Sequence, residues 1–138
     1  MRVYFARAVN GCDWQEVQSA RDGVLRLFSE HGLEVINEFS NGYDSAEDLV
    51  EGQIANIRRC DILIADLSIP DHPYLGCIGE VIYAHQFGKP VYVVYGNYDR
   101  LLKRPWLTYH TSGMFRTYGE LFQFLERGQD PARDPPSI

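Results

Sequence analysis

Glu80 is a carboxylate placed near the start of an otherwise apolar segment, LGCIGEVIYAHQFGKP, which has the pattern of a buried helix. The N–H groups of a first helical turn are unpaired and the helix dipole favours an anion, so we expect Glu80 to be ionised. Gly76 and Gly79 leave room for a ligand to approach the backbone. An ionised carboxylate in a cleft suits a nucleophile that attacks a sugar carbon, although acidic residues also occur at helix starts for structural reasons alone.

Strand and helix patterns alternate along the whole chain, which predicts an α/β protein with a parallel sheet of about five strands and helices on both faces. The predicted strands are 2–9, 33–37, 61–67, 90–96 and 113–118, and the predicted helices are 13–32, 45–59, 75–88 and 118–128. A loop is predicted between the last two strands. We expect one domain over residues 1–127 and a disordered, proline-rich tail over 128–138.

The predicted topology also locates the site. Ligands of such sheets bind at the carboxyl ends of the strands, near the point where the strand order reverses. The candidate segments are therefore residues 6–12, residues 66–80 and the residues that follow 96. Glu80 belongs to the second of these segments.

Composition excludes several classes of protein. A net charge of −6 argues against binding a nucleic-acid polymer, which needs a basic surface. No apolar run is long enough to span a membrane, and the N-terminus lacks the pattern of a signal peptide. Three cysteines without a CxxC pair indicate reduced thiols and a cytoplasmic protein, and the four histidines show no metal-ligand spacing.

The stretch from 61 to 94, DILIADLSIPDHPYLGCIGEVIYAHQFGKPVYVV, resembles the nucleoside 2-deoxyribosyltransferase family, which includes the 2′-deoxynucleoside 5′-monophosphate N-hydrolases. The matching pieces are Ile69-Pro70-Asp71, Gly76, Glu80, Tyr83-Ala84 and Gly88-Lys89-Pro90. The opening VYFARAV resembles the first strand of the family, and the element order matches to about residue 127. The resemblance implies a single flavodoxin-like (Rossmann-like) domain.

The resemblance also implies a mechanism without a cofactor or a metal. Glu80 matches the nucleophile that displaces the base from C1′ of the sugar, and Tyr4 matches a tyrosine that hydrogen-bonds this nucleophile. The resulting glycosyl ester is then attacked by another base or by water, as in a retaining glycosidase. Gly76 and Gly79 are expected to border the substrate.

Two acidic positions of the family are changed in this chain. An aspartate that many members carry on the second helix is Gln53 here, and one that often lies six residues before the nucleophile is Tyr74. Gln53 is expected to face the sheet, where it can hydrogen-bond a sugar or base but cannot act as an acid. Asp66 and Asp71 are close in sequence, and they either compensate for the changes or serve as strand-end and turn residues.

The loop after the first strand bears on phosphate binding. The monophosphate hydrolases use a serine and an arginine where this chain has Ala8 and Asn10. We expect Asn10 to contact the substrate, and we expect nucleosides to be preferred over 5′-monophosphates unless Arg7 binds the phosphate.

The sequence thus predicts an enzyme that cleaves the N-glycosidic bond of (2′-deoxy)nucleosides and passes the sugar to another base or to water. One alternative is a nucleoside 5′-monophosphate N-hydrolase, and another is a non-catalytic nucleotide-binding module on the same scaffold. Receiver, flavodoxin and dinucleotide-binding functions lack their loop motifs here. The resemblance and the aromatic-rich segment 98–118 predict a homo-oligomer with shared active sites.

Overall fold

The computed structural model of the chain describes residues 1–9, 11–39 and 42–128. Five parallel strands form one sheet in the order β2-β1-β3-β4-β5, which confirms the predicted flavodoxin-like fold. The strands are β1 (Arg2–Arg7), β2 (Glu34–Val35), β3 (Ile62–Asp66), β4 (Val91–Val94) and β5 (Gly113–Phe115). The helices are α1 (Trp14–Glu30), α2 (Ala46–Arg59), α3 (Leu75–Gln86), α4 (Pro105–Tyr109) and α5 (Tyr118–Gly128).

Side-chain caps begin the first two helices. The carboxylate of Asp13 accepts a hydrogen bond from the N–H of Glu16 at 3.0 Å, and α1 begins at the next residue, Trp14. The hydroxyl of Ser45 accepts from the N–H of Asp48 at 3.0 Å, as the sequence pattern predicted for α2. Each cap satisfies one of the donors that the first turn of a helix leaves unpaired.

Successive side chains along the strands point to alternate faces of the sheet, and the apolar ones form a hydrophobic core on each face. On one face, Tyr4 and Ala6 of β1 pack with residues of α2 and α3, including Val81. On the other face, Val3 and Phe5 pack with residues of α1 and α5. Because successive side chains of a strand point to opposite faces, the inner residues of the central strands β1 and β3 are apolar and buried on both sides of the sheet.

The strands are shorter than predicted, and other features also differ from the predictions. β2 has two residues instead of five, because the chain leaves the ladder after Val35. The segment between β4 and β5, predicted as a loop, contains a 3₁₀ helix (Asp99–Lys103) as well as α4. α5 extends through Gly128, one residue beyond the predicted domain, and the rest of the predicted tail lies outside the described residues.

None of the helices in the described part of the chain has the length and apolar character needed to cross a bilayer.

Candidate active site

A cavity of about 260 Å³ opens at the carboxyl end of β1, where β1 and β3 are neighbours and the strand order reverses. Its walls come from four parts of the chain: the end of β1, the segment between β2 and α2, the first half of α2, and the turn that leads into α3. This is the position at which ligands bind in doubly wound sheets. The sequence placed the site at the same edge.

Glu80 and Tyr4 meet at the bottom of this cavity. The phenol of Tyr4, which is buried in β1, donates a hydrogen bond to Oε2 of Glu80. Glu80 lies in the second turn of α3 and not in the first. The prediction that unpaired N–H groups of the first turn stabilise its ionised form is therefore wrong. The carboxylate is directed by its contact with Tyr4 instead.

Burial changes the protonation of this pair. Removal from water raises the pKa of Glu80 to about 7, and the hydrogen bond from Tyr4 opposes that rise. Glu80 therefore titrates close to neutral pH, whereas the sequence predicted an ionised carboxylate. Burial and the neighbouring Glu80 raise the pKa of the Tyr4 phenol, so Tyr4 remains a hydrogen-bond donor.

Half of the other predicted site residues line the cavity. Arg7, Gln53, Tyr74 and Gly76 all line it. The hydroxyl of Tyr74, however, accepts from the N–H of Ile69 at 2.8 Å and donates to the carbonyl of Ile69 at 3.1 Å, so it closes the turn before α3.

Three predicted contacts lie outside the cavity lining, namely Asp66, Asp71 and Gly79. The carboxylate of Asp66 accepts from the hydroxyl of Ser68 at 2.6 Å and from the phenol of Tyr118 at 2.6 Å, which ties β3 to the start of α5. Asp71 is exposed and adopts a left-handed backbone conformation with φ 58°. Both are therefore placed as strand-end and turn residues, and Asn10 lies outside the described residues.

Arg7 brings a positive charge to the cavity. Its neighbour in the strand register is Asp66, whose carboxylate is engaged by Ser68 and Tyr118. Within the described residues, no carboxylate forms an ion pair with Arg7. A partly buried guanidinium without an anionic partner is suited to bind an anionic group of a ligand.

Several residues of the cavity were missed by sequence reasoning. Most come from the segment between β2 and α2, for which the sequence offered only a polar, glycine-containing loop; they are Asn37, Glu38, Phe39 and Tyr43. His72, from the turn after β3, also lines the cavity. It lies within the predicted candidate segment 66–80, but the sequence offered no reason to single it out. The pattern of the sequence contained no signal for these residues, because loop side chains follow no periodicity.

An aromatic wall faces the cavity on the side of β2. Phe39 stacks on Phe5 with ring centroids 5.8 Å apart and an angle of 28° between the planes. The guanidinium of Arg21, from α1, lies 5.0 Å from the centroid of Phe39 and donates to the backbone carbonyl of Asn37 at 2.5 Å. These contacts hold Phe39 in place from both sides.

Solved structures share this fold across nearly the whole chain. No family model matches the sequence, and no curated protein matches it. A CMP N-glycosidase from Clostridium botulinum is 24% identical with a TM-score of 0.59, covering 91% of this chain and 98% of its own. A 2-deoxyribosyltransferase from Leishmania mexicana is 17% identical with a TM-score of 0.69, covering 90% and 95%.

A third structure, a conserved protein from Enterococcus faecalis V583, is 13% identical with a TM-score of 0.66, and the match covers 92% of this chain and 98% of that one. At these identities the likeness concerns the fold. The fold implied by the sequence resemblance is therefore confirmed, and it is shared with an N-glycosidase and with a 2-deoxyribosyltransferase.

Proposed function

We propose that this chain is an enzyme that cleaves the N-glycosidic bond of nucleosides or their 5′-monophosphates, with Glu80 as the nucleophile. The observation that carries the proposal is the contact between Tyr4 and Glu80 in a cavity at the carboxyl edge of the sheet. The names of two proteins with the same fold, an N-glycosidase and a 2-deoxyribosyltransferase, agree with this chemistry.

The proposed reaction is a double displacement. One oxygen of Glu80 attacks C1′ of the sugar while the bond from C1′ to the base nitrogen breaks, which gives a glycosyl ester and a free base. Water, or the nitrogen of a second base, then attacks C1′ and releases the carboxylate. Because the phenol of Tyr4 donates to Oε2 of Glu80, it fixes the orientation in which the carboxylate attacks.

A 5′-monophosphate substrate is favoured by one observation that the sequence alone did not supply. Arg7 lines the cavity and, in the described part of the chain, has no carboxylate partner. A guanidinium of this kind binds phosphate through two parallel hydrogen bonds. This chain has Ala8 and Asn10 where the monophosphate hydrolases have a serine and an arginine. Arg7 thus supplies the positive charge that is missing at those positions.

The test is a panel of nucleosides and their 5′-monophosphates, incubated with and without an acceptor base, with the released base followed by chromatography. We expect base release by the parent protein and its loss by more than about a thousandfold in Glu80→Gln, which keeps the size of the side chain but cannot attack. Glu38→Gln, at another carboxylate of the cavity, is the matched control. If Glu80→Gln kept an activity within about tenfold of the parent, Glu80 would not be the nucleophile.

The absence of base release from every substrate, together with binding of a nucleotide, would instead favour the non-catalytic module. Binding is measured by isothermal titration with the same panel. The binding measurement thus distinguishes a nucleotide-binding protein without catalytic activity from a protein that does not bind nucleotides.

We further propose that the protein is a homo-oligomer. Trp106 and Tyr109 are each 72% exposed, and with Pro105 and His110 they line an apolar hollow of about 270 Å³. Large exposed aromatic groups are typical of surfaces that contact another protein. Light scattering at micromolar concentration tests the proposal, and a strictly monomeric species with full activity would contradict it.

A further inference from the structure

Cleavage of an N-glycosidic bond leaves a negative charge on the departing base unless a proton is supplied. The two positions at which a carboxylic acid was expected carry Gln53 and Tyr74. An amide cannot transfer a proton at neutral pH. Tyr74 is no better placed, because its hydroxyl is engaged with Ile69 on both sides and burial raises its pKa to about 12.

The other ionisable groups of the cavity are poorly suited to the same task. Burial raises the pKa of the Cys77 thiol, which makes it a weak acid. Glu38 and Tyr43 are exposed to solvent. Arg7 is assigned to the phosphate of the substrate. Efficient proton transfer needs a group that titrates near the working pH.

With Tyr4 and Glu80 assigned to the nucleophilic attack, His72 is the remaining ionisable residue of the cavity lining in the described part of the chain. The left-handed conformation of Asp71, with φ 58°, turns the chain just before it. The imidazole ring then lies against Tyr74, with ring centroids 5.0 Å apart, and beside Gly11, where an added Cβ would be 3.8 Å from Cε1 of His72.

Within the described residues, neither ring nitrogen of His72 makes a hydrogen bond. The histidine rings that make hydrogen bonds among the described residues are those of His31 and His110. A partly exposed imidazole that faces a cavity and has free nitrogens can bind and exchange a proton with a ligand. Histidine is the side chain whose ordinary charge change falls between pH 5 and 8.

We propose that His72 is the general acid that protonates the leaving base and the general base that activates the attacking water. This inference rests on the proposed function. In the first step the C1′–N bond breaks, its electron pair goes to the base, and the imidazolium proton follows it, while Glu80 forms the ester. In the second step neutral His72 takes a proton from water as its oxygen bonds to C1′ and the carboxylate of Glu80 leaves.

The other ionisable groups of the cavity lining are Tyr4 and Arg7 from β1, Glu38 and Tyr43 from the segment before α2, and Tyr74, Cys77 and Glu80 from the turn and helix after β3. Of these, Glu80 must be ionised for the attack and His72 must be protonated. The two requirements together give a bell-shaped dependence of kcat/KM on pH.

The experiment compares His72→Gln with His31→Gln, a histidine at the end of α1 that lies outside the cavity lining. Each protein is assayed with the best substrate of the panel and with the analogue that carries fluorine on the same base. Fluorine makes the base a better leaving group that needs less help from an acid. Thermal unfolding and circular dichroism establish that the variants are folded.

We expect His72→Gln to lower kcat/KM for the ordinary substrate by about 100-fold, the usual contribution of a general acid. The loss for the fluorinated analogue should be at least about tenfold smaller, and the fall of activity on the alkaline side of the pH profile should disappear. His31→Gln should resemble the parent in all three respects.

The role of His72 would be overturned if His72→Gln lowered kcat/KM equally for the two substrates, or by less than about threefold. It would also be overturned if the fall of activity at alkaline pH remained in this variant. In each case base release by the parent, and its loss in Glu80→Gln, would leave the proposed function standing. A parent that releases no base from any substrate would refute both.

Discussion

The side-chain amide of Asn37 forms both of the hydrogen bonds that a neighbouring strand would give to Phe5. Its oxygen accepts from the N–H of Phe5 at 2.7 Å, and its nitrogen donates to the carbonyl of Phe5 at 2.8 Å. β2 ends at Val35, so no backbone of this strand pairs with Phe5. The side chain of Asn37 makes these hydrogen bonds in its place. The backbone that follows is free to cross the edge of the sheet and form a wall of the cavity.

Asn37→Ala should therefore destabilise the protein. The substitution leaves the N–H and the carbonyl of Phe5 without partners in the core, at a cost of about 1–3 kcal/mol for each group. The free energy of unfolding is measured in urea, with Asn97→Ala, at an exposed position, as the control. A change within about 0.5 kcal/mol of the control would mean that water replaces the amide.

Tyr4→Phe should shift the pH dependence of the reaction. The hydrogen bond from Tyr4 lowers the pKa of Glu80, so its loss raises that pKa above its present value of about 7. Because the attack needs ionised Glu80, kcat/KM at pH 7 should fall about three- to tenfold and recover in part at higher pH. Tyr92→Phe, on the other face of the sheet, is the control. If kcat/KM fell at the same acidic pH in Tyr4→Phe as in the parent, the hydrogen bond from Tyr4 would not be lowering the pKa of Glu80.

Glu80→Gln should change how stability depends on pH. The folded protein holds the Glu80 proton up to about pH 7, whereas the unfolded chain releases it near the ordinary value of 4.5. The unfolded state therefore binds fewer protons between these values, and the parent loses stability as pH rises through this window.

Relative to the parent, Glu80→Gln should gain at most about 3 kcal/mol between pH 5 and pH 8. Unfolding in urea at both pH values measures the difference. Glu30→Gln, at the exposed end of α1, should follow the parent. Parallel curves for the parent and Glu80→Gln would show that burial of the carboxylate costs little.

Arg7→Ala should remove a preference for a phosphorylated substrate. Loss of a charge-assisted contact to phosphate costs about 1.5–3 kcal/mol, or roughly 10- to 150-fold in kcat/KM. The measurement is kcat/KM for a deoxynucleoside and for its 5′-monophosphate, in the parent and in the variant. Arg59→Ala, exposed at the end of α2, is the control. A parent that favours the unphosphorylated nucleoside would restore the preference expected from Ala8 and Asn10.

Local sequence determined the order of the elements and the edge of the sheet that holds the site. The apolar run of β3 and the cap of Ser45 are short-range signals, and they predicted a strand and a helix that the structure contains. The position of Glu80 between two strands was sufficient to assign it to the carboxyl edge, because parallel topology brings the strand ends together.

Tertiary structure decided which side chains meet there and what their protonation is. Tyr4 and Glu80 are far apart in sequence, and their contact depends on the packing of α3 against β1. The raised pKa of Glu80 follows from burial, which no local pattern reports. The sequence predicted segment 66–80 at the site, but only the folded chain shows that the side chains of Asn37 and His72 line the cavity, because loop side chains follow no periodicity.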